Sequence, residues 1–348
     1  MTKIPVGILG ATGTVGQRFY QLLDCHPWFE PVFLAASEKS AGKPYKEAVK
    51  WLMDTPLTPE MESKPVYTCY DEKAPKLLFS ALDSSCALEV ESYWASKGHK
   101  VISNAKNHRM DPDVALIVPE VNGDQLSSYS TNIVTNPNCS IIALSMALKP
   151  LHERFGVLRA HVVTMQAISG AGYPGVSSME ILDNIIPHIP DEEEKMEEEI
   201  VKILGTKDKP ASITLSAQCN RVPVFDGHTE CVSVEFRIKP TLAQLKEAFH
   251  ELKPLNLPTA PEKPLWIHDD PFSPQPRRHR NLDKGMAVHI GQIQPCPVLD
   301  YKFTLMGHNT LRGAAGGSLL IAELMHQDFW SAEPWLRSGR GDLAPRPE

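Results

Sequence analysis

Seven cysteines are scattered through this 348-residue chain, at 25, 69, 86, 139, 219, 231 and 296, and one of them stands in a setting suited to chemistry. Cys139 follows Thr135-Asn136-Pro137-Asn138 and precedes Ser140, between an apolar strand-like run and the apolar stretch Ile141–Leu148. A strand handing over to a helix here puts Cys139 at or beside a helix N-terminus. Free N–H groups and the helix dipole there stabilise a thiolate and lower its pKa from ~8.5 toward neutrality. Pro137 donates no backbone hydrogen bond and confines Asn136 to extended conformations, so the turn can be held rigidly. The other six cysteines lack this setting and read as inert thiols. None forms a C-x-x-C pair, which argues against a disulfide framework or a thiolate metal site and for a reducing compartment.

A second chemical signal is the turn Gly7-Ile-Leu-Gly10-Ala-Thr12-Gly13-Thr14-Val15-Gly16. Glycines spaced by three at a strand-to-helix handover let the backbone approach a pyrophosphate, and the helix start binds the anion. The spelling is not G-x-G-x-x-G, and an unliganded glycine turn is the plain alternative. The next apolar run ends in Ala36-Ser37-Glu38-Lys39-Ser40-Ala41-Gly42-Lys43. Two serines with neighbouring lysines can donate to a 2′-phosphate, whereas an NAD site places an acidic residue there, so NADP is favoured although Glu38 opposes it.

These residues need a scaffold, and the chain's patterning supplies one. The length exceeds one ordinary core, so two domains are expected. Hydrophobic residues make up 42% and charged residues 22%, as in soluble globular proteins. The N-terminus is neither a signal peptide nor long enough to span a bilayer, so no membrane role is indicated and a cytoplasmic location is expected. A net charge of −7 opposes nucleic-acid binding. The basic cluster PRRHR at 276–280 reads as a solvated loop or subunit contact.

Strand-like runs at 4–9, 31–37, 77–82, 99–105, 114–122 and 132–135 alternate with helical stretches, including 17–23 and 86–98. That alternation predicts a Rossmann-like, doubly wound parallel sheet. Beyond residue 136 the pattern changes. The run at 228–238 has period two, which predicts an α+β domain with a mixed or antiparallel sheet. Proline-dense segments at 254–276 read as surface loops, 313–330 as a closing amphipathic helix, and 339–348 as a disordered tail.

Several motifs occur in order: GILGATGTVGQRF, AASEKSAGK, NPNCS, QAISGAGYPG, NRVPVFDGHTECVSV and GHNTLRGAAGGS. With them the chain resembles the aspartate-semialdehyde dehydrogenases of the archaeal and fungal branch over nearly its whole length. The resemblance implies NADPH-dependent reductive dephosphorylation of L-4-aspartyl phosphate to L-aspartate 4-semialdehyde through a Cys139 thioester. This step serves the aspartate pathway to lysine, threonine, methionine and isoleucine. A homodimer or homotetramer and no metal are implied as well.

The resemblance also assigns roles, each beside a plainer reading. Gln166 holds the acyl group or a water; alone it is a strand-end amide. Arg221 clamps the substrate carboxylate and His228 is the general acid/base; seven residues apart, a strand and turn can bring them to one cleft, though a lone histidine is more often structural. Arg109 binds phosphate, in a polar loop with Asn104 and Lys106, and Asn138 joins it at the substrate; a surface arginine is the alternative. Glu192 and Lys195 contact the substrate amine and the phosphate, with a slip to Glu193 possible inside DEEEKMEEE, itself otherwise a solvated helical face. Gly10, Thr12, Gly13, Thr14, Val15, Ser37, Ser40, Ser80, Gly170 and Asn309 take the cofactor, Asn309 at the nicotinamide carboxamide and Ser169–Gly172 as a flexible lip. The nucleotide-binding domain is expected over 1–136, completed by a helix at 311–335, and the catalytic and dimerisation domain over 137–310. Malonyl-CoA reductase of the same superfamily and N-acetylglutamyl-phosphate reductase share the fold. A non-catalytic NADP-binding sensor is the rival from another class, and it leaves Cys139 no reason to react faster than the other thiols.

Overall fold

A computed structural model describes residues 3–327. Strands buried on both faces build the first sheet: β1 (Ile4–Leu9), β2 (Phe29–Ala36), β3 (Val66–Thr68), β4 (Leu77–Ser80), β5 (Lys100–Ser103), β6 (Ala115–Leu116) and β7 (Ile133–Thr135). All pairings are parallel, in the order β3-β2-β1-β4-β5-β7-β6, so the winding reverses between β1 and β4. Such a reversal opens a crevice at the carboxyl ends of the two strands. Helix α1 (Thr14–Leu23) leaves β1 through the glycine turn. Helix α2 (Ser84–Ser96) leaves β4 opposite it, capped where Asp83 accepts from Ser85 N–H at 2.9 Å. The strand expected over 114–122 shrinks to the two residues of β6, because Pro119 opens a helical turn over Pro119–Asn122.

After β7 the chain enters α3 (Cys139–Phe155), longer than the expected apolar stretch and continuous through Pro150. The second sheet comprises β8 (Val157–Gln166), β9 (Thr214–Arg221), β10 (His228–Phe236), β11 (Leu265–Ile267), β12 (Val288–Pro295) and β13 (Tyr301–Gly307). Its order is β11-β12-β13-β10-β8-β9, with β8–β9 and β11–β12 parallel and the other pairs antiparallel. A parallel β8–β9 pair needs a crossover, which contains α4 (Glu192–Ile203). One face of the sheet is covered: Val232, Val234 and Phe236 share a core with Leu144 and Leu148 of α3, Ile200 of α4 and Leu245 of α5 (Leu242–Phe249). On the opposite face Thr229, Cys231, Ser233 and Glu235 keep solvent contact, which is the period-two signal.

Two expectations give way. The proline-dense stretch contains strand β11, too short to show a period. The closing helix, α6 (Gly316–Met325), is not amphipathic: every residue is buried, and Leu319, Leu320, Ile321 and Ala322 pack with Phe19, Phe79 and Ile102 of the first domain. Its Glu323 is tolerated there because it accepts from His26 Nε2 at 2.7 Å and from Thr259 N–H. Positions 328–335 of the expected helix and the tail at 339–348 lie outside the described residues. The basic cluster forms one helical turn, Pro276–His279, with Arg277 and Arg278 exposed and His279 against His268. Among the described residues no helix is long and apolar enough to cross a membrane.

Candidate active site

A cleft of about 1190 Å³ runs from the β1–α1 turn to the head of α3 and the ends of β8 and β9. It exceeds the ~300–1,000 Å³ typical of a small-ligand pocket, so a long ligand and a small substrate fit together. At its first end Gly10 has φ +79°, and a Cβ there would meet Ala81 O at 2.6 Å; at Gly16 it would meet Gly10 O at 2.2 Å. Thr12, Gly13, Thr14 and Val15 line the cleft, no side chain caps this start of α1, and Thr14 Oγ1 is buried without a partner. Unspent amides and a spare hydroxyl at a helix start suit a phosphate. Ser37 and Glu38 line the cleft beyond the end of β2, whereas Ser40 does not. Ser80 is fully buried behind the wall made by Ala81–Ser84, so it backs the cleft rather than lining it.

At the other end Cys139 is the first residue of α3, and its Sγ lies 3.2 Å from Nε2 of His228, the first residue of β10. His228 Nδ1 accepts from Ala167 N–H at 3.0 Å, which puts the hydrogen of a neutral ring on Nε2, facing the sulfur. Gln166 and Arg221 end β8 and β9 and stand opposite each other in register, so the seven-residue spacing from Arg221 to His228 is the turn that passes the end of β8. Arg221 Nη1 donates to Ala167 O at 2.8 Å, and a Cβ on Gly170 would come within 2.9 Å of that nitrogen.

The acidic run resolves into one inward residue per turn. Glu192 Oε1 accepts from Gln166 Nε2 at 3.0 Å and from Asn138 Nδ2 at 2.8 Å, while Glu193 turns away to Cys219 N–H. Lys195 lines the cleft 3.8 Å from Glu192. Arg109 also lines it, paired through Nη1 with Glu199 at 2.8 Å and through Nη2 with Asn104 O at 2.8 Å. Asn309 Nδ2 donates to Ser169 Oγ at 2.8 Å, tying the 169–172 segment to the chain's return toward the first domain.

Electrostatics overturn one expectation. Burial, then Glu192, pushes the Cys139 thiol up to about 12, against the pull of Arg221 and Arg109. Burial, then Arg221, holds His228 well below the usual imidazole range. Both directions favour a neutral thiol beside a neutral ring over a preformed thiolate. The helix start does not prevail because Asn138 Oδ1 already accepts from Ser140 N–H and Ile141 N–H, and carboxylates stand beside it.

Sequence reasoning missed Glu199, Gly313, whose Cβ would lie 2.7 Å from that of Cys139, and the bridge from Lys50 Nζ to Tyr173 Oη at 2.5 Å across the cleft. Glu199 had a readable signal, since 192, 195, 199 and 202 share one helical face.

Known proteins give the arrangement its context. A family model described as semialdehyde dehydrogenase, NAD binding domain, matches residues 5–129, and one described as semialdehyde dehydrogenase, dimerisation domain, matches 148–312. The chain is similar to the aspartate-semialdehyde dehydrogenase of Archaeoglobus fulgidus, 47% identical over 93% of this chain and 98% of the relative. It is 45% identical to that of Schizosaccharomyces pombe, over 92% and 97%. The solved aspartate-semialdehyde dehydrogenase of Candida albicans with NADP superposes with a TM-score of 0.87 at 40% identity, covering 92% of this chain and 98% of that one. An aspartate-semialdehyde dehydrogenase II of Vibrio cholerae, complexed with ASA, does so at 0.77 and 27% identity, over 94% and 100%.

Proposed function

Since the chain belongs to the aspartate-semialdehyde dehydrogenase family, we propose that this cleft converts L-4-aspartyl phosphate to L-aspartate 4-semialdehyde with NADPH, through an acyl thioester on Cys139. The observation that carries the reading is the 3.2 Å contact of Sγ with His228 Nε2 at the head of α3, in a cleft that also takes in the glycine turn.

Arg221 clamps the substrate carboxylate, Glu192 receives its ammonium, Arg109 and Lys195 hold the phosphate, and Gln166 and Asn138 steady the acyl group. Sulfur bonds to the acyl carbon as the bond to the phosphate oxygen breaks, the thiol proton passes to that oxygen, and phosphate leaves toward Arg109 and Lys195. A nicotinamide held by Asn309 and Gly170 would supply, when bound, the hydride that this carbon accepts. His228 Nε2 donates a hydrogen bond to the oxygen that develops charge there, and relays a proton from solvent to Sγ when the carbon–sulfur bond opens to free the aldehyde.

Thr12, Gly13, Thr14 and Val15 would hold the dinucleotide phosphates, and Asn309 with Gly170 the nicotinamide end. NADP in preference to NAD rests on Ser37, which lines the cleft next to Glu38 and is followed in the sequence by Lys39 and Lys43. We assign residues 1–136 and the helix from 311 to the nucleotide-binding domain, and 137–310 to the catalytic and dimerisation domain. The uncovered face of the second sheet would make the homodimer or homotetramer. Free thiols at all seven cysteines suit the cytoplasm. The product would feed lysine, threonine, methionine and isoleucine synthesis.

The test is reduction of NADP⁺ with L-aspartate semialdehyde, with and without phosphate, in wild type and Cys139→Ala. Wild-type turnover is expected to require phosphate, and the variant to lose on the order of 10⁴-fold or more in kcat. Phosphate-independent turnover, or NADPH oxidation with malonyl-CoA instead, overturns the assignment.

A further inference from the structure

Glu199 is 1% exposed and absent from the walls of the main cleft, yet both its oxygens meet groups that belong there. Oε1 accepts from Arg109 Nη1 at 2.8 Å, and Oε2 accepts from the backbone N–H of Asn138 at 2.6 Å. Arg109 comes from a loop of the first domain, Asn138 immediately precedes the nucleophile, and Glu199 lies on α4 of the second domain. One carboxylate therefore joins three segments that are distant in sequence.

Its neighbours on the same helical face reinforce the joint. Glu192, seven residues earlier, holds Asn138 by its side-chain amide, so two carboxylates of α4 grip the residue before Cys139. Lys202, three residues later, donates to Arg109 O, Asp111 O and Val114 O at 2.7, 2.7 and 2.8 Å, fixing the backbone that carries Arg109. Arg109 Nη2 is spent on Asn104 O, and its Nε is buried with no partner. The side chain, which lines the cleft, is thus pinned at two points with one further N–H left on each of Nη1 and Nη2.

We propose that Glu199 is a positioning residue that sets the phosphate-binding arginine and the nucleophile's turn in one fixed geometry. The proposal rests on the functional reading above. Both partners are donors, so the role needs two acceptor oxygens on a side chain of this length. Gln offers one acceptor and turns an NH₂ toward a donor, and Asp keeps the charge but is shorter by one methylene. Losing the Oε1 contact frees Arg109 to swing, and losing the Oε2 contact loosens the turn before Cys139, while the substrate carboxylate site at Arg221 is untouched.

The experiment uses the full chain as Glu199→Gln and Glu199→Asp. KM for phosphate, KM for L-aspartate semialdehyde and kcat are measured in the oxidative direction. Separately, without turnover, the phosphate concentration that half-protects Cys139 from iodoacetamide is measured. In Glu199→Gln, KM for phosphate and the half-protecting concentration are expected to rise together by roughly ten- to hundredfold, as for loss of one charge-assisted hydrogen bond. KM for the aldehyde is expected to stay within about threefold, and Glu199→Asp to show a smaller rise with the same split. Should the Gln variant not fold, the Asp variant carries the same test. A fall in kcat with both phosphate constants unmoved would show that Glu199 does not set Arg109 and sink the proposal of one joint geometry. Absence of phosphate protection and phosphate dependence in wild type would instead remove the functional reading, and this inference with it.

Discussion

A sulfur at a helix start gains from the dipole only while the amides there remain unspent, and Asn138 Oδ1 takes two of them at the head of α3. With the thiol pushed up to about 12 by burial and Glu192, the thiolate fraction of Cys139 rises with pH throughout the neutral range. Its alkylation by iodoacetamide should therefore accelerate about tenfold per pH unit from pH ~7 to ~9. A rate that levels off near neutrality would mean that Arg221 and Arg109 win and the thiolate is preformed. At this scale the sequence was legible where an unusual residue stood in an unusual setting: Cys139 behind Asn-Pro-Asn, Arg221 and His228 flanking one turn. Glu199 was obscured by the glutamates around it, although it shares the helical face of Glu192 and Lys195, and burial sets it apart. Ser40, in the loop after β2, and Ser80, the last residue of β4, misled because a serine's type does not reveal which way its hydroxyl faces, and both stand off the cleft wall.

Elements meet at the nucleophile more closely than their sequences suggest. The segment Leu311–Ala315 is a π-helical turn leading into α6, and its Gly313 lies directly against Cys139. A methyl group at 313 would approach Cys139 Cβ to 2.7 Å and its Cα to 3.1 Å, so either α3 or this turn must shift. Gly313→Ala should lower kcat by roughly 10- to 100-fold through misplacement of the sulfur, with KM for NADP⁺ within about threefold. Steady-state kinetics decides it, and an unaltered kcat would show that the turn yields without moving the nucleophile. Most elements were legible because both domains keep their periods: short apolar runs between helices in one, alternation in the other. β11 was not, since three residues carry no period. α6 read as amphipathic because Glu323 and Ser318 look like a polar face, although both are buried.

For the molecule as a whole, Glu230 is a standing cost. It is fully buried on the core face of β10, neither oxygen has a partner, and burial, then Glu192, holds its carboxyl well above the usual range. The unfolded chain ionises this group from pH ~4.3 upward while the folded protein keeps it protonated, so stability falls as pH rises, by at most about 1.4 kcal/mol per unit. Glu230→Gln does not titrate. Its urea stability relative to wild type should therefore increase between pH ~5 and ~8, and a difference constant across that range would place a carboxylate, not a carboxylic acid, in the core. The two-domain division was legible because the hydrophobic period changes near residue 136. How the domains share the cleft was not, since that depends on contacts such as Arg109 with Glu199.

The return of α6 to the first domain carries a consequence for the making of the protein. Phe19, Phe79 and Ile102 are synthesised early, but the helix that covers them lies about 180 residues beyond Thr135, the end of the first sheet. At usual elongation rates that delay is on the order of 10–40 s. For that interval the nascent chain presents a finished sheet with an open apolar flank, and the ribosome must release nearly the whole polypeptide before either half of the cleft has its final walls.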